Sequence, residues 1–101
     1  MQKNQPLFTI SVAAKLLNTH PRTLMSYERE KLIHPFRSDT KRRLFSRIDL
    51  EEIQFLQFLT QKKGLNIAGV KLILAAIGKA KEYNLDLIQA LFPEFKAKEL
   101  I

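Results

Sequence analysis

The chain has no cysteine among its 101 residues. That absence excludes a disulfide framework, a thiolate metal site and an iron–sulfur cluster. Nor does it contain the uninterrupted run of roughly 18 apolar residues that a membrane span requires; the most apolar stretch, Ile67 to Ile77, carries Lys71 in its middle. There is no phosphate-binding loop, no zinc-protease motif, and no serine or cysteine nucleophile beside a plausible base, so no enzymatic activity is expected. Ser11, Ser38 and Ser46 all have capping or turn roles open to them. The two histidines, His20 and His34, stand apart and read as a helix cap and a turn residue, so neither a metal nor a cofactor is expected. The polar start, Met1 to Gln5, lacks a signal-peptide pattern, which makes a cytoplasmic location the expectation. Internal repeats and low-complexity segments are absent too.

What remains is a small, basic chain. Apolar residues make up 46% of it, enough for one modest core, and the length suits one domain or one domain with a short appendage. Seventeen Lys and Arg stand against ten Asp and Glu, a net charge of +7. Such an excess favours a polyanionic partner, because each cation placed on a phosphate releases condensed counterions. Whether it marks a binding surface depends on how it is distributed.

Read along the chain, Leu7 to Thr9 is at most a strand edge. Ser11 suits an N-cap for a short helix over Val12 to Leu17, and Asn18 fits the left-handed position that ends it. After a minimal turn, Pro21 opens a second helix that reads to Lys31, with Leu24 and Tyr27 facing inward. Two short helices around so brief a turn form a helix-turn-helix outline. Phe36 to Phe45 then reads as a two-stranded hairpin around a polar turn in which Asp39 tolerates the turn geometry, although the usual glycine is absent. Ser46-Arg47-Ile48-Asp49 matches a capping box at the head of a third helix that runs to Lys63 and stops at Gly64. Asn66 caps a fourth helix with Ile67, Val70, Ile73, Leu74 and Ile77 on one stripe. Past Gly78 the pattern loosens; Asn84 is positioned to cap a last short helix through Leu91, which Pro93 stops. The class is mainly α, with one small hairpin.

The cations cluster. With Leu24 and Tyr27 inside, the second helix leaves Arg22, Thr23, Ser26 and Arg29 outside. Arginine can read the paired acceptors of guanine, and the hydroxyls serve bases or phosphates. The hairpin follows at once with Arg37, Lys41, Arg42 and Arg43. Tyr27 reads as a core or hinge residue whose hydroxyl reaches a phosphate. Arg43 has a second role open to it, an internal ion pair with Glu28 or Asp49.

The segments Ile10-Ser11-Val12-Ala13-Ala14, His20-Pro21-Arg22-Thr23-Leu24, Tyr27-Glu28-Arg29, Leu32-Ile33-His34-Pro35-Phe36-Arg37 and Arg43-Leu44-Phe45-Ser46 together resemble the winged helix-turn-helix domain of MerR-family transcription regulators. The later run from Leu59-Thr60 through Gly64-Leu65-Asn66-Ile67-Ala68-Gly69-Val70 is similar to the family's HspR branch, the heat-shock repressors. The resemblance covers residues 8 to 77. It implies a winged helix-turn-helix domain over residues 1–77, with two further helices and a short helical appendage over 78–101 for dimerisation or partner binding. It implies double-stranded DNA as the partner, with Arg22, Thr23 and Tyr27 at contacting positions and the Arg37 to Arg43 hairpin as a wing on adjacent backbone. Binding to inverted repeats as a homodimer, repression of chaperone promoters and a DnaK-type chaperone corepressor are implied as well; the short C-terminal segment leaves a different dimer, a monomer or a tandem assembly on DNA as alternatives. Three departures stand out: Met25 replaces the family's usual arginine, Thr40 replaces the glycine of the wing turn, and the long dimerisation helix is shortened to Asn84–Ile101. Metal- and redox-sensing members ligate through cysteines, which this chain lacks.

Two other readings follow from the residues. One is a small architectural or excisionase-like DNA-binding protein without effector sensing. The other is a protein-docking module, which requires Phe55, Phe58 and Leu59 to be partly exposed.

Overall fold

Every α-helix among the described residues begins where a side chain can take one of the first free N–H groups. In the computed structural model, which describes residues 2–101, Thr9 Oγ1 accepts from the Val12 N–H at 3.4 Å and opens α1, Ile10–Leu16. His20 Nδ1 accepts from Arg22 at 3.0 Å and opens α2, Pro21–Arg29, with Pro21 in the first turn where its missing N–H costs nothing. Ser46 and Asp49 bond reciprocally, at 3.1 and 2.8 Å, at the head of α3, Arg47–Gln57. Asn66 Oδ1 caps α4, Ile67–Lys81, and Asp86 Oδ1 caps α5, Leu87–Leu91.

Two of these starts correct the sequence reading. Thr9, in extended backbone at the end of the first strand, is better placed than Ser11 to reach the first turn, so α1 begins two residues early. Asn84 does not cap the last helix; it takes a left-handed φ of 60° just past the end of α4, and the cap falls to Asp86. Helix ends differ as well. Lys31 holds φ 62° and closes α2 at Arg29, two residues short of the expected end; Asn18 takes the left-handed turn expected of it, and Gly64, expected only as a helix end, is left-handed as well. A π-helical segment, Phe58–Lys62, follows α3 directly, with the Lys63 N–H reaching back to the Phe58 carbonyl at 3.1 Å. And α4 continues past Gly78 to Lys81.

The chain divides into two compact units: residues 1–54 with 98–101, and residues 55–97. The first holds a three-stranded antiparallel sheet in the order β1–β3–β2, from Phe8–Thr9 (β1), Phe36–Arg37 (β2) and Arg43–Phe45 (β3). Phe8 pairs with Phe45, and Arg37 stands opposite Arg43. Its core is built from Ala13, Ala14, Leu17, Leu24, Tyr27, Ile33, Phe45 and Ile53, all buried. Within this unit the Gln54 side-chain amide pairs with the Lys98 backbone, donating at 3.0 Å and accepting at 2.7 Å. Two short helices, a brief turn and a following hairpin on one small sheet make this a winged helix-turn-helix.

The second unit buries Leu59 and Val70 completely. Phe55, Phe58, Phe92 and Phe95 form an aromatic cluster with ring centroids 5.1–6.2 Å apart. The Lys63 ammonium lies 5.5 Å over the Phe58 ring and 2.8 Å from the Glu94 carboxylate. Phe55 is only 6% exposed and Leu59 is 0%, with Phe58 half-buried, so most of the apolar surface a docking module would present is already used internally.

Two substitutions of opposite sign test this account by thermal or urea unfolding. Ser46→Ala removes half of a buried capping box and should cost about 1 kcal/mol. Gly78 lies inside α4, where an added Cβ would meet nothing within 4 Å; Gly78→Ala should therefore stabilise the protein by roughly 0.5–1 kcal/mol.

Candidate nucleic-acid interface

A helix can read a duplex only through the face it does not bury. In α2 that face is set by Leu24 and Tyr27, which are 0% and 6% exposed and turn toward the core beside α1. Arg22, Ser26 and Arg29 follow at intervals of four and three residues, so they form one stripe on the other side. Arg22 and Arg29 are exposed; Ser26 and neighbouring Thr23 are half-buried. Tyr27, also expected at the interface, has its ring in the core.

The hairpin is held beside the last turn of α2 by one carboxylate. Glu28 accepts from Arg37 Nη2 on both of its oxygens at 3.0 Å, and its Oε1 also accepts from Arg43 Nε at 2.6 Å. Arg37 and Arg43 are direct cross-strand partners. Like charges in that position repel, so the carboxylate relieves a conflict built into the strand register. The Glu28 side chain is 21% exposed. Burial raises its pKa, but the hydrogen bond and charge of Arg43, with the charge and hydrogen bond of Arg37, outweigh that and hold it below the ordinary carboxylate value.

Beyond this base the hairpin closes through Ser38. Its carbonyl accepts from the Lys41 N–H at 2.8 Å, its own N–H donates to the Arg42 carbonyl at 2.9 Å, and its hydroxyl accepts from the Arg42 N–H at 3.1 Å. Lys41 takes the left-handed conformation, φ 65°. This is the position a glycine would favour, so the turn places its strain on Lys41, not on Asp39 or Thr40, where the sequence reading looked for it. Arg37 Nη1 donates to the Lys41 carbonyl at 2.9 Å and steadies that turn. Lys41 and Arg42 are exposed.

The nine residues singled out from sequence thus separate into groups. Arg22, Ser26 and Arg29, with Thr23 alongside, lie on the open face of α2; Lys41 and Arg42 occupy the hairpin end; Arg37 and Arg43 form its base, engaged with Glu28; Tyr27 is largely interior. Sequence reading anticipated the Arg43–Glu28 pair as one of two options but missed the share that Arg37 takes. The signal was the hairpin register, which sets the two arginines opposite each other once the three-residue turn is placed. His34 is exposed and His20 is engaged as a cap. Among the described residues no group of three or more His, Asp or Glu side chains has the geometry to hold a metal ion. No helix among them is long and apolar enough to cross a membrane.

The carboxylate bridge predicts a pH dependence. A depressed Glu28 pKa contributes stability that is complete above the ordinary value of 4.5 and is lost as the pH falls through the lower folded-state value. Glu28→Gln should therefore be less stable than the native chain by about 1–2 kcal/mol at neutral pH. The gap should close as urea unfolding is repeated at successively lower pH below 4.5.

Comparison with known proteins agrees with this geometry. The family model described as "MerR HTH family regulatory protein" matches residues 8–77. A Streptomyces coelicolor protein named "Putative heat shock protein HspR" is 39% identical over 74 residues, covering 73% of this chain and 49% of that protein. HTH-type transcriptional regulators GlnR of Bacillus anthracis and Bacillus cereus are 34% identical over 73 residues, covering 72% of this chain and 56% of theirs. The chain thus spans about half the length of the curated relatives it matches. With that match running from the first strand through most of α4, the chain belongs to the MerR family of helix-turn-helix regulatory proteins.

Proposed function

We propose that the chain is a sequence-specific, double-stranded DNA-binding transcription regulator, and that it represses promoters of the heat-shock or chaperone class. One observation carries the DNA-binding reading: the open Arg22–Ser26–Arg29 face of α2 and the Lys41–Arg42 end of the hairpin belong to one unit, joined through Glu28. In this reading α2 enters the major groove. Arg22 reads a guanine through its paired acceptors, while Thr23, Ser26 and Arg29 contact bases or nearby phosphates. Lys41 and Arg42 rest on the flanking backbone, with Arg37 and Arg43 setting the wing at its base. The Tyr27 hydroxyl reaches toward a phosphate from a buried ring.

The repressor assignment is supported by the identity to the protein named for heat shock, and a DnaK-type chaperone corepressor belongs to the same reading. Repression asks only that the promoter be occupied tightly enough to exclude polymerase. Residues 1–77 act as the DNA-binding domain and 78–101 as an appendage. Exposed Leu72, Tyr83, Leu85 and Leu91 offer apolar surface for a second copy, consistent with a homodimer or tandem assembly on repeated half-sites.

The test is a binding measurement at several salt concentrations, with selection of bound fragments from random DNA. Affinity should fall on the order of a thousandfold between about 50 and 200 mM salt. Arg22→Ala should relax preference at one base position at a cost of about 1–3 kcal/mol, whereas Arg42→Ala should weaken all sequences alike. Binding and preference unchanged in Arg22→Ala would overturn the assignment of α2 as the reading helix.

A further inference from the structure

The wing carries four cations, Arg37, Lys41, Arg42 and Arg43, yet they do not present equally. Arg43 is tied to Glu28 through its Nε at 2.6 Å, with a side chain only 26% exposed; Arg37, 42% exposed, is engaged by its bonds and not by burial, with one nitrogen on the same carboxylate and another on the Lys41 carbonyl. We propose that Glu28 is a specificity-determining residue of the duplex interface: its carboxylate withholds Arg37 and Arg43 from phosphate, so the wing offers the backbone two cations in place of four. This inference rests on the DNA-binding reading above and says how that interface is tuned.

The physical reason is the different currency of the two kinds of contact. Phosphate contacts add affinity for every sequence, whereas base contacts from α2 add it for one. A carboxylate that engages two wing arginines lowers the first term and leaves the second alone, because none of Arg22, Thr23, Ser26 or Arg29 is bonded to it. It acts from the end of the reading helix itself, one residue before Arg29, so wing and helix are coupled by the group that limits the wing. A phosphate could claim these arginines only by displacing a carboxylate that already satisfies three of their hydrogen bonds. Glu28 is here a positioning residue: it touches no base or phosphate and acts through the arginines it holds.

The experiment uses the full chain and a labelled duplex of random sequence, with affinity followed against salt. Glu28→Gln keeps the shape and removes the charge. Its plot of log affinity against log salt should be steeper than the native slope by about one to two units, as one or both freed arginines reach phosphate. Enrichment of preferred over random fragments should fall accordingly. Glu28→Asp, which keeps the charge, should return toward the native slope. A purely structural role predicts weaker binding with the slope unchanged or shallower, and that result in folded Glu28→Gln would overturn the proposal.

A second measurement needs no variant. On titrating the native chain with random duplex, the arginine Nε–Hε NMR resonances of Arg37 and Arg43 should stay in place while that of Arg42 moves. Equal movement of Arg43 and Arg42 would overturn the proposal even if Glu28→Gln failed to fold. If the native chain bound no duplex in a salt-dependent way, the DNA-binding reading would fall and this inference with it; binding with the wrong slope response sinks this inference alone.

Discussion

Arg37 and Arg43 face each other across the hairpin, and a carboxylate borrowed from α2 lies between them. Without it the strand register would set two positive charges side by side in a hairpin whose strands are only two and three residues long. With it, the repulsion becomes a three-way attraction that also fixes where the hairpin stands relative to the helix. The placement of Lys41 and Arg42 follows from that anchor: Arg37, held on one side by Glu28, uses its other nitrogen to steady the Lys41 carbonyl and so the turn. Electrostatics within the fold and the electrostatics offered outward are therefore the same set of charges, divided by Glu28.

Around this anchor the fold relies on local devices more than on a deep interior. A chain of this size buries a modest core, and α1, α2 and α5 are each nine residues or fewer, well below the length at which an isolated helix holds together in water. Each is started by a side-chain cap, and the left-handed residues at Asn18, Lys31, Gly64 and Asn84 mark where the chain leaves a helix.

Much of this was legible in the sequence, for identifiable reasons. The helix-turn-helix, the hairpin, the capping box at Ser46 and the cap at Asn66 rest on short-range chemistry that neighbouring residues settle among themselves. The inward faces of Leu24 and Tyr27 follow from helical periodicity, and so, by subtraction, does the open stripe of α2. What escaped depends on competition or distance. Thr9 and Ser11 are both competent caps, and only the preceding strand decides between them. Asp86 likewise wins over Asn84 because the end of α4 needs Asn84 for its own left-handed turn. The π-helical segment at Phe58–Lys62 leaves an apolar pattern that an α-helix would also produce. The pairing of Arg37 with Glu28 spans nine residues and two elements, and emerges only once the register of the hairpin is known.

The three-residue turn Asp39-Thr40-Lys41 carries one more consequence. Side chains on a strand alternate between faces with a period of two, so the length of the connection decides which residues of β2 and β3 share a side. A one-residue slip of β3 against β2 would slide Arg43 out of line with Arg37 and rotate one of them away from Glu28. The junction with the helix is thus governed by parity: it survives any change at the exposed loop positions that keeps this register, and a slip by one would dismantle it while leaving every charge in the sequence intact.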